Sequence, residues 1–210
     1  MGKSRYILMD TKYSHPAYTR YPQLKELEES RNNMDLKEII RTVPDFPIPG
    51  IQFRDITSLI ETPKAFKYTL QEMQDLSLQA DCIVGIESRG FVFGAPIANN
   101  LNIPFIMARK PGKLPNETHK RDFDLEYGST SLEIQKNTNI KSSDNVVIID
   151  DLIATGGTAI ACADLIHECF DVPRDKILIL AVIDLTDLGG FAKIIEQGYN
   201  AATLIEYEGE

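Results

Sequence analysis

The 210-residue sequence holds no apolar run approaching the roughly 20 residues a membrane span requires, and its start carries no compact apolar segment followed by a small-residue cleavage site. A soluble, unsecreted protein of the cytoplasm is therefore expected, with no membrane partner. Cysteine is scarce: Cys82, Cys162 and Cys169 are scattered and have no C-x-x-C spacing, which argues against a disulfide framework or a zinc site and for reduced thiols. The three histidines, His15, His119 and His167, form no metal-ligand spacing with nearby acids. Basic charge is also short. The net charge is −9; residues 1–33 hold six Lys/Arg against four Asp/Glu, so the remainder carries −11. A body of that sign is not built to bind nucleic acid or an anionic membrane. There are no internal repeats and no low-complexity tracts.

One sizeable core is what a chain of this length with 43% apolar residues can bury. Residues 1–33 are rich in Tyr, Lys, Arg, Asn and Glu, and regular amphipathic patterning starts only at Met34-Asp35-Leu36. The expected organisation is an N-terminal extension over 1–33, ordered in part or not at all, and one domain over 34–210. An organellar transit peptide is disfavoured by Glu26, Glu28 and Glu29; a translated stretch upstream of a start at Met34 stays open.

From Met34 onward the chain alternates β-branched runs with helical stretches. Strands are expected near 82–86, 104–108, 145–149, 177–183 and 202–206, and helices near 64–79, 89–101, 157–170 and 187–197. The alternation predicts an α/β fold: a central, mostly parallel sheet with helices on both faces, Rossmann-like in class. The uninterrupted apolar runs Val146–Ile149 and Ile177–Ile183 suit strands buried on both faces. Between 109 and 135 the pattern breaks into a polar stretch containing Pro and Gly, with Ser129–Ile134 alone reading as strand, so a flexible flap over 110–130 is expected.

Ligands of such sheets bind at the carboxyl ends of the strands. The run Val146-Val147-Ile148-Ile149-Asp150-Asp151-Leu152-Ile153-Ala154-Thr155-Gly156-Gly157-Thr158 is a buried strand that ends in two carboxylates and turns through T-G-G-T into a helix. Glycines allow close backbone approach, free N–H groups at a helix start favour an anion, and threonine hydroxyls add donors. The segment lacks the Lys-Ser/Thr of a nucleoside-triphosphate loop and the G-x-G-x-x-G of a dinucleotide fold. Paired acids suit vicinal ribose hydroxyls, so acids beside a phosphate cradle indicate a sugar monophosphate. The bland alternative is a helix cap and a tight turn.

Three further segments carry candidates. Gly85-Ile86-Glu87-Ser88-Arg89-Gly90-Phe91 follows the first strand and opens a helix, so Ser88, Arg89 and the free N–H groups make a second anion site. Arg109-Lys110-Pro111-Gly112-Lys113 places three cations after another strand, where a solvated loop is the plain alternative. In Pro44-Asp45-Phe46-Pro47-Ile48-Pro49-Gly50-Ile51-Gln52-Phe53-Arg54-Asp55-Ile56 the prolines stiffen the backbone. On physical grounds alone Phe53 reads as a core aromatic and Arg54–Asp55 as a surface ion pair.

Taken together, these segments resemble the type I phosphoribosyltransferases, and within them the adenine phosphoribosyltransferase branch, over Met34 to about Tyr207. The resemblance implies that Ala154, Thr155, Gly156, Gly157 and Thr158 hold a 5′-phosphate and that Asp150 and Asp151 hold ribose hydroxyls. It implies that Ser88, Arg89, Arg109 and Lys113 face a pyrophosphate group, with a cis peptide at Glu87-Ser88. Phe53 and Arg54 would form part of a purine pocket. Leu125-Glu126-Tyr127-Gly128 is similar to the family's flap segment, in which Glu126 would be the catalytic acid/base, with Tyr127 beside it. The implied reaction joins adenine to 5-phosphoribosyl 1-pyrophosphate, giving AMP and pyrophosphate, with Mg²⁺ carried by the pyrophosphate substrate near Asp150 and Asp151. A homodimer is implied as well. Two alternatives compete: a 6-oxopurine transferase of the same fold, and a non-catalytic ribose-phosphate sensor. The segment Asp184-Leu185-Thr186-Asp187-Leu188 offers no Lys for a 6-oxo group, although Asp184 departs from the family's usual Glu.

Overall fold

Val146, Ile148, Ile149 and all but one of Ile177–Ile183 are wholly shut off from solvent, because the strands that contain them lie mid-sheet with helices on either side. The computed structural model describes residues 34–125 and 128–209, together with the backbone of Arg5–Ile7. Strands are numbered in chain order: β1 Arg5–Ile7, β2 Arg41–Pro44, β3 Gln52–Asp55, β4 Cys82–Ile86, β5 Phe105–Ala108, β6 Thr118–Leu125, β7 Gly128–Gln135, β8 Val146–Ile153, β9 Ile177–Leu185 and β10 Asn200–Tyr207. The α-helices are α1 Leu36–Ile39, α2 Thr57–Glu61, α3 Pro63–Leu76, α4 Arg89–Leu101, α5 Gly157–Phe170 and α6 Gly190–Glu196.

The main sheet runs β1-β10-β9-β8-β4-β5. Its five strands from β10 to β5 are all parallel, and β1 is antiparallel at the edge. Alternate residues of each central strand point to opposite helical layers. Val146 and Ile148 join α5 and α6 in one core, whereas Val147 and Ile149 join α3 and α4 in the other. The α5 sequence is apolar nearly all round, and Ala161, Cys162, Ala163 and Leu165 are buried accordingly.

The chain order reverses between β4 and β8: β4 leads outward to β5, and β8 leads the other way to β9 and β10. At such a reversal the connections leave in opposite directions and a crevice opens at the strands' carboxyl ends. α4 enters that crevice closely, because Gly90 lies against β8; a Cβ built there would stand 2.3 Å from the Ile149 carbonyl oxygen.

Two features differ from the sequence reading. Arg5–Ile7, part of the stretch expected as an extension outside the core, pairs with Thr203–Ala201 and lengthens the sheet by one edge strand. The polar stretch after β5 is not a structureless flap: β6 and β7 form an antiparallel hairpin with Thr118 opposite Gln135. Its lower half is built into the core through Leu132 and Ile134, which are 3% and 0% exposed. Among the described residues no helix is long and apolar enough to cross a membrane.

Replacing Gly90 with alanine pushes a methyl into the β8 backbone, and helix α4 must move away. We expect Gly90→Ala to cost about 1–3 kcal/mol, read as a lowered urea midpoint with an unchanged slope.

Candidate functional site

The crevice between β4 and β8 is a cleft of about 370 Å³. It gathers Ser88 and Arg89 from the β4–α4 turn with Asp150, Asp151, Ala154, Thr155, Gly156, Gly157 and Thr158 from the β8–α5 turn, two segments more than 60 residues apart in sequence. β8 continues past its apolar run, so Asp150 and Asp151 are still held in the ladder, Asp150 opposite Ala181. The turn that follows depends on Gly156, whose φ of 78° lies in the left-handed region, where a side chain is strained. A Cβ on Gly156 would also meet the Gly190 carbonyl oxygen at 2.9 Å, and one on Gly190 would meet the Ala154 oxygen at 2.1 Å. The Gly190 N–H donates to the Ala154 carbonyl at 3.1 Å. The turn is thus clasped from behind by the start of α6, and the N-terminus of α5 is left facing the cleft. That is an anion-binding arrangement by geometry and by dipole.

The two aspartates sit in an unfavourable electrostatic setting. Asp151 is 2% exposed. Its N–H donates to the Asp150 carboxylate at 2.9 Å, and its own carboxylate lies 3.1 Å from the Arg89 Nε, off-line for a hydrogen bond. Burial, followed by the charge of Asp151, pushes the Asp150 carboxyl well above the usual carboxylate range. Burial raises Asp151 too, opposed by Arg89. Two acids so placed accept hydrogen bonds from hydroxyls, and a nearby cation would relieve their repulsion. Among the described residues no third His, Cys, Asp or Glu joins them as a metal-ligand cluster.

The other predicted residues are placed less directly. The Glu87–Ser88 peptide is cis. Arg109 does not line the cleft; its guanidinium forks onto Glu87 at 3.1 and 3.0 Å and reaches the Lys113 carbonyl at 3.1 Å. Those bonds from Arg109 hold the Glu87 carboxyl below its ordinary value. Lys110 is the member of that cationic run that lines the cleft, and Lys113 is absent from its lining. Arg54 pairs neither with Asp55 nor into the cleft: it donates to Thr42 at 2.8 Å and stacks 4.1 Å over the Tyr207 ring, while Asp55 binds Arg41 at 2.7 Å. Phe53, half-buried, meets Phe46 edge-on at 5.0 Å and lies 5.9 Å from the Arg89 guanidinium. Glu126 and Tyr127 lie outside the described residues. Asp184, 1% exposed, borders a separate hollow of about 320 Å³ with Thr186, Phe191 and Glu196.

Sequence reasoning missed the wall opposite the acids, formed by Phe123, Thr130 and Ser131 of the hairpin. It also missed the spacer role of Gly190, for which the adjacent Gly189-Gly190 pair was the available signal.

A family model described as phosphoribosyl transferase domain matches residues 64–170, which span β4, α4, β5, the hairpin, β8 and α5. The fold and the cleft are thus those of a phosphoribosyltransferase. The adenine phosphoribosyltransferase of Gloeobacter violaceus is 49% identical over 176 residues, 83% of this chain and 100% of the relative. That of Nitrosospira multiformis is 47% identical over 178 residues, 84% of this chain and 99% of the relative. The crystal structure of adenine phosphoribosyltransferase from Thermoanaerobacter pseudethanolicus superposes with a TM-score of 0.73 at 43% identity, covering 81% of this chain and 97% of that one. The APRTase from Giardia lamblia complexed with 9-deazaadenine gives 0.77 at 33% identity over 84% of this chain and 100% of that one. The chain belongs to the adenine phosphoribosyltransferase family.

The raised acids have a signed consequence. Between the ordinary carboxylate range and their raised values the folded protein keeps protons that the unfolded chain has released, so stability falls as pH rises through that window. Asp150→Asn removes the larger share of this titration, that of Asp150. The melting temperature of the variant should exceed that of wild type by on the order of a few degrees at about pH 7, and the difference should shrink towards about pH 4 in a differential scanning measurement.

Proposed function

We propose that this chain transfers the ribosyl phosphate of 5-phosphoribosyl 1-pyrophosphate to adenine, forming AMP and releasing pyrophosphate. One observation carries the reading: a buried acid pair and a glycine-shaped helix N-terminus share one wall of a switch-point cleft, with an arginine across from them. In this reading the backbone of Ala154–Thr158 and the hydroxyls of Thr155 and Thr158 hold the 5′-phosphate. Asp150 and Asp151 accept hydrogen bonds from the ribose hydroxyls and orient the anomeric carbon. Ser88 and Arg89 receive the pyrophosphate, with Lys110 alongside; Arg109 keeps Glu87 and that loop in position, and Lys113 supplies a further cation at its rim. Phe53 stacks on the purine and Arg54 borders its pocket.

The acid pair suits Mg²⁺ that arrives bound to pyrophosphate, because two carboxylates supply part of a coordination sphere and need a counter-charge. Such an ion, when bound, would neutralise charge that builds on the leaving group. The carbon–oxygen bond to pyrophosphate breaks as the purine nitrogen attacks from the opposite face. Glu126, the acid that the family resemblance singles out, takes the proton from the imidazole ring of the base. Closure of the hairpin over the cleft keeps water from the electron-poor ribose carbon.

Residues 34–210 form the catalytic unit in this reading, with residues 1–33 as an extension. A homodimer is supported by the family resemblance and by exposed apolar side chains such as Phe46, Ile48 and Met107, which are 50%, 48% and 40% exposed. A cytoplasmic location is supported by cysteines that are all unpaired.

The test is product formation from labelled adenine, hypoxanthine and guanine, each with 5-phosphoribosyl 1-pyrophosphate and Mg²⁺. AMP from adenine alone is expected, with kcat lowered roughly 100-fold or more in Glu126→Ala. Nucleotide from hypoxanthine or guanine would reassign the substrate, and none from any base would leave a ribose-phosphate sensor.

A further inference from the structure

The hairpin is fastened to the helix that bears the phosphate-binding turn by one buried carboxylate. Three successive inward-facing residues of β6 run down α5 from its end towards the cleft. His119 packs edge-on against Phe170 with ring centroids 5.2 Å apart. Arg121 comes next and donates to Asp164 at 2.7 Å and to Glu168. Phe123 follows, packed against the core and lining the cleft. The intervening Lys120 and Asp122 pair with each other at 3.0 Å on the exposed side.

Asp164 is 8% exposed and has two more partners that converge from elsewhere in the fold. The Tyr199 hydroxyl donates to it at 2.6 Å, and Arg174 stands 3.7 Å away with its guanidinium 4.9 Å over the Tyr199 ring. A carboxylate buried mid-helix is costly unless cations and donors surround it. Here they come from the hairpin, from the turn before β9 and from the start of β10. No residue of this cluster lines the cleft, and the proposed chemistry uses none of them.

We propose that Arg121 and Asp164 are positioning residues: their ion pair sets the height of the hairpin on α5, and so the distance between the hairpin wall and the turn that holds the 5′-phosphate. The inference rests on the proposed transferase reading. The guanidinium reaches two carboxylates one helical turn apart, Asp164 and Glu168, so it fixes the hairpin along the helix axis as well as towards it. Phe123 lies two residues further along β6 and Thr130 is its partner across the hairpin, so a slip at Arg121 passes directly to the cleft wall.

The experiment compares wild type, Arg121→Gln, Arg121→Lys and Glu168→Gln by three measurements: amide hydrogen exchange over 118–125 and 128–135, calorimetric affinity for ribose 5-phosphate, and kcat and KM with adenine. Arg121→Gln should speed hairpin exchange about tenfold or more, leave the ribose 5-phosphate Kd within about twofold, and lower kcat about tenfold with little change in KM. Arg121→Lys, which keeps the charge but not the fork, should recover only part of the rate, and Glu168→Gln should show a smaller change in the same direction. If Arg121→Gln does not fold, Glu168→Gln carries the comparison. Faster exchange with unchanged kcat would overturn the proposal, as would unchanged exchange, or an equal loss of ribose 5-phosphate binding, which would mean general damage to α5. Wild-type protein that makes no nucleotide from any base would overturn the transferase reading and this inference with it, a result seen before any variant is made.

Discussion

The parallel pairing of β4 with β8 is the constraint on which the site depends. Ile83 to Gly85 lie opposite Val147 to Ile149, and this register brings the end of β4 level with the point where the apolar run of β8 gives way to Asp150 and Asp151. Two turns that each end in a helix N-terminus then face one crevice, and each brings its own set of free N–H groups. Gly90 keeps the arrangement tight, since any side chain there would hold α4 away from the β8 backbone. Without that contact Ser88 and Arg89 would lie too far from Asp150 and Asp151 for one ligand to touch both sets.

The same pairing explains why the cleft is electrostatically tense. β8 carries its ladder four residues beyond the Val146–Ile149 run and so delivers two adjacent carboxylates, Asp150 and Asp151, to a buried position. Arg89 opposes the rise of Asp151, and the Asp151 N–H opposes that of Asp150, yet burial outweighs both. Such tension is what a binding site stores: the acids are poorly solvated by the protein and gain most from a ligand that brings hydroxyls and positive charge. The cationic run after β5 has the opposite design. Arg109 is neutralised internally by Glu87, and of this run Lys110 alone lines the cleft.

Most of the sheet and the glycine turn between β8 and α5 were legible in the sequence because both rest on local signals. Uninterrupted β-branched runs mark strands buried on two faces, and two acids followed by T-G-G-T mark a strand-to-helix turn with a defined polarity. β6 was not legible for a physical reason. Its inward residues are His119, Arg121 and Phe123, and a strand whose buried side is held by ion pairs shows no apolar alternation. The pairing of Arg109 with Glu87 and the stacking of Arg54 on Tyr207 depend on residues far apart in sequence, and no spacing rule anticipates them. Phe53 illustrates the intermediate case. Composition read it as core, the family resemblance read it as a base-stacking surface, and the fold leaves it half-buried beside Arg89.

Gly156 and Gly190 meet with almost no space between them, although one belongs to the turn proposed to hold the 5′-phosphate and the other to the helix that follows the Asp184–Leu188 segment. The two loops are in effect one mechanical part. A redesign of the segment after β9 to accept a different base would transmit any backbone shift through this contact to the phosphate turn. Selectivity for the base and grip on the sugar phosphate would therefore change together, and a protein engineer would have to vary both loops in one library rather than in succession.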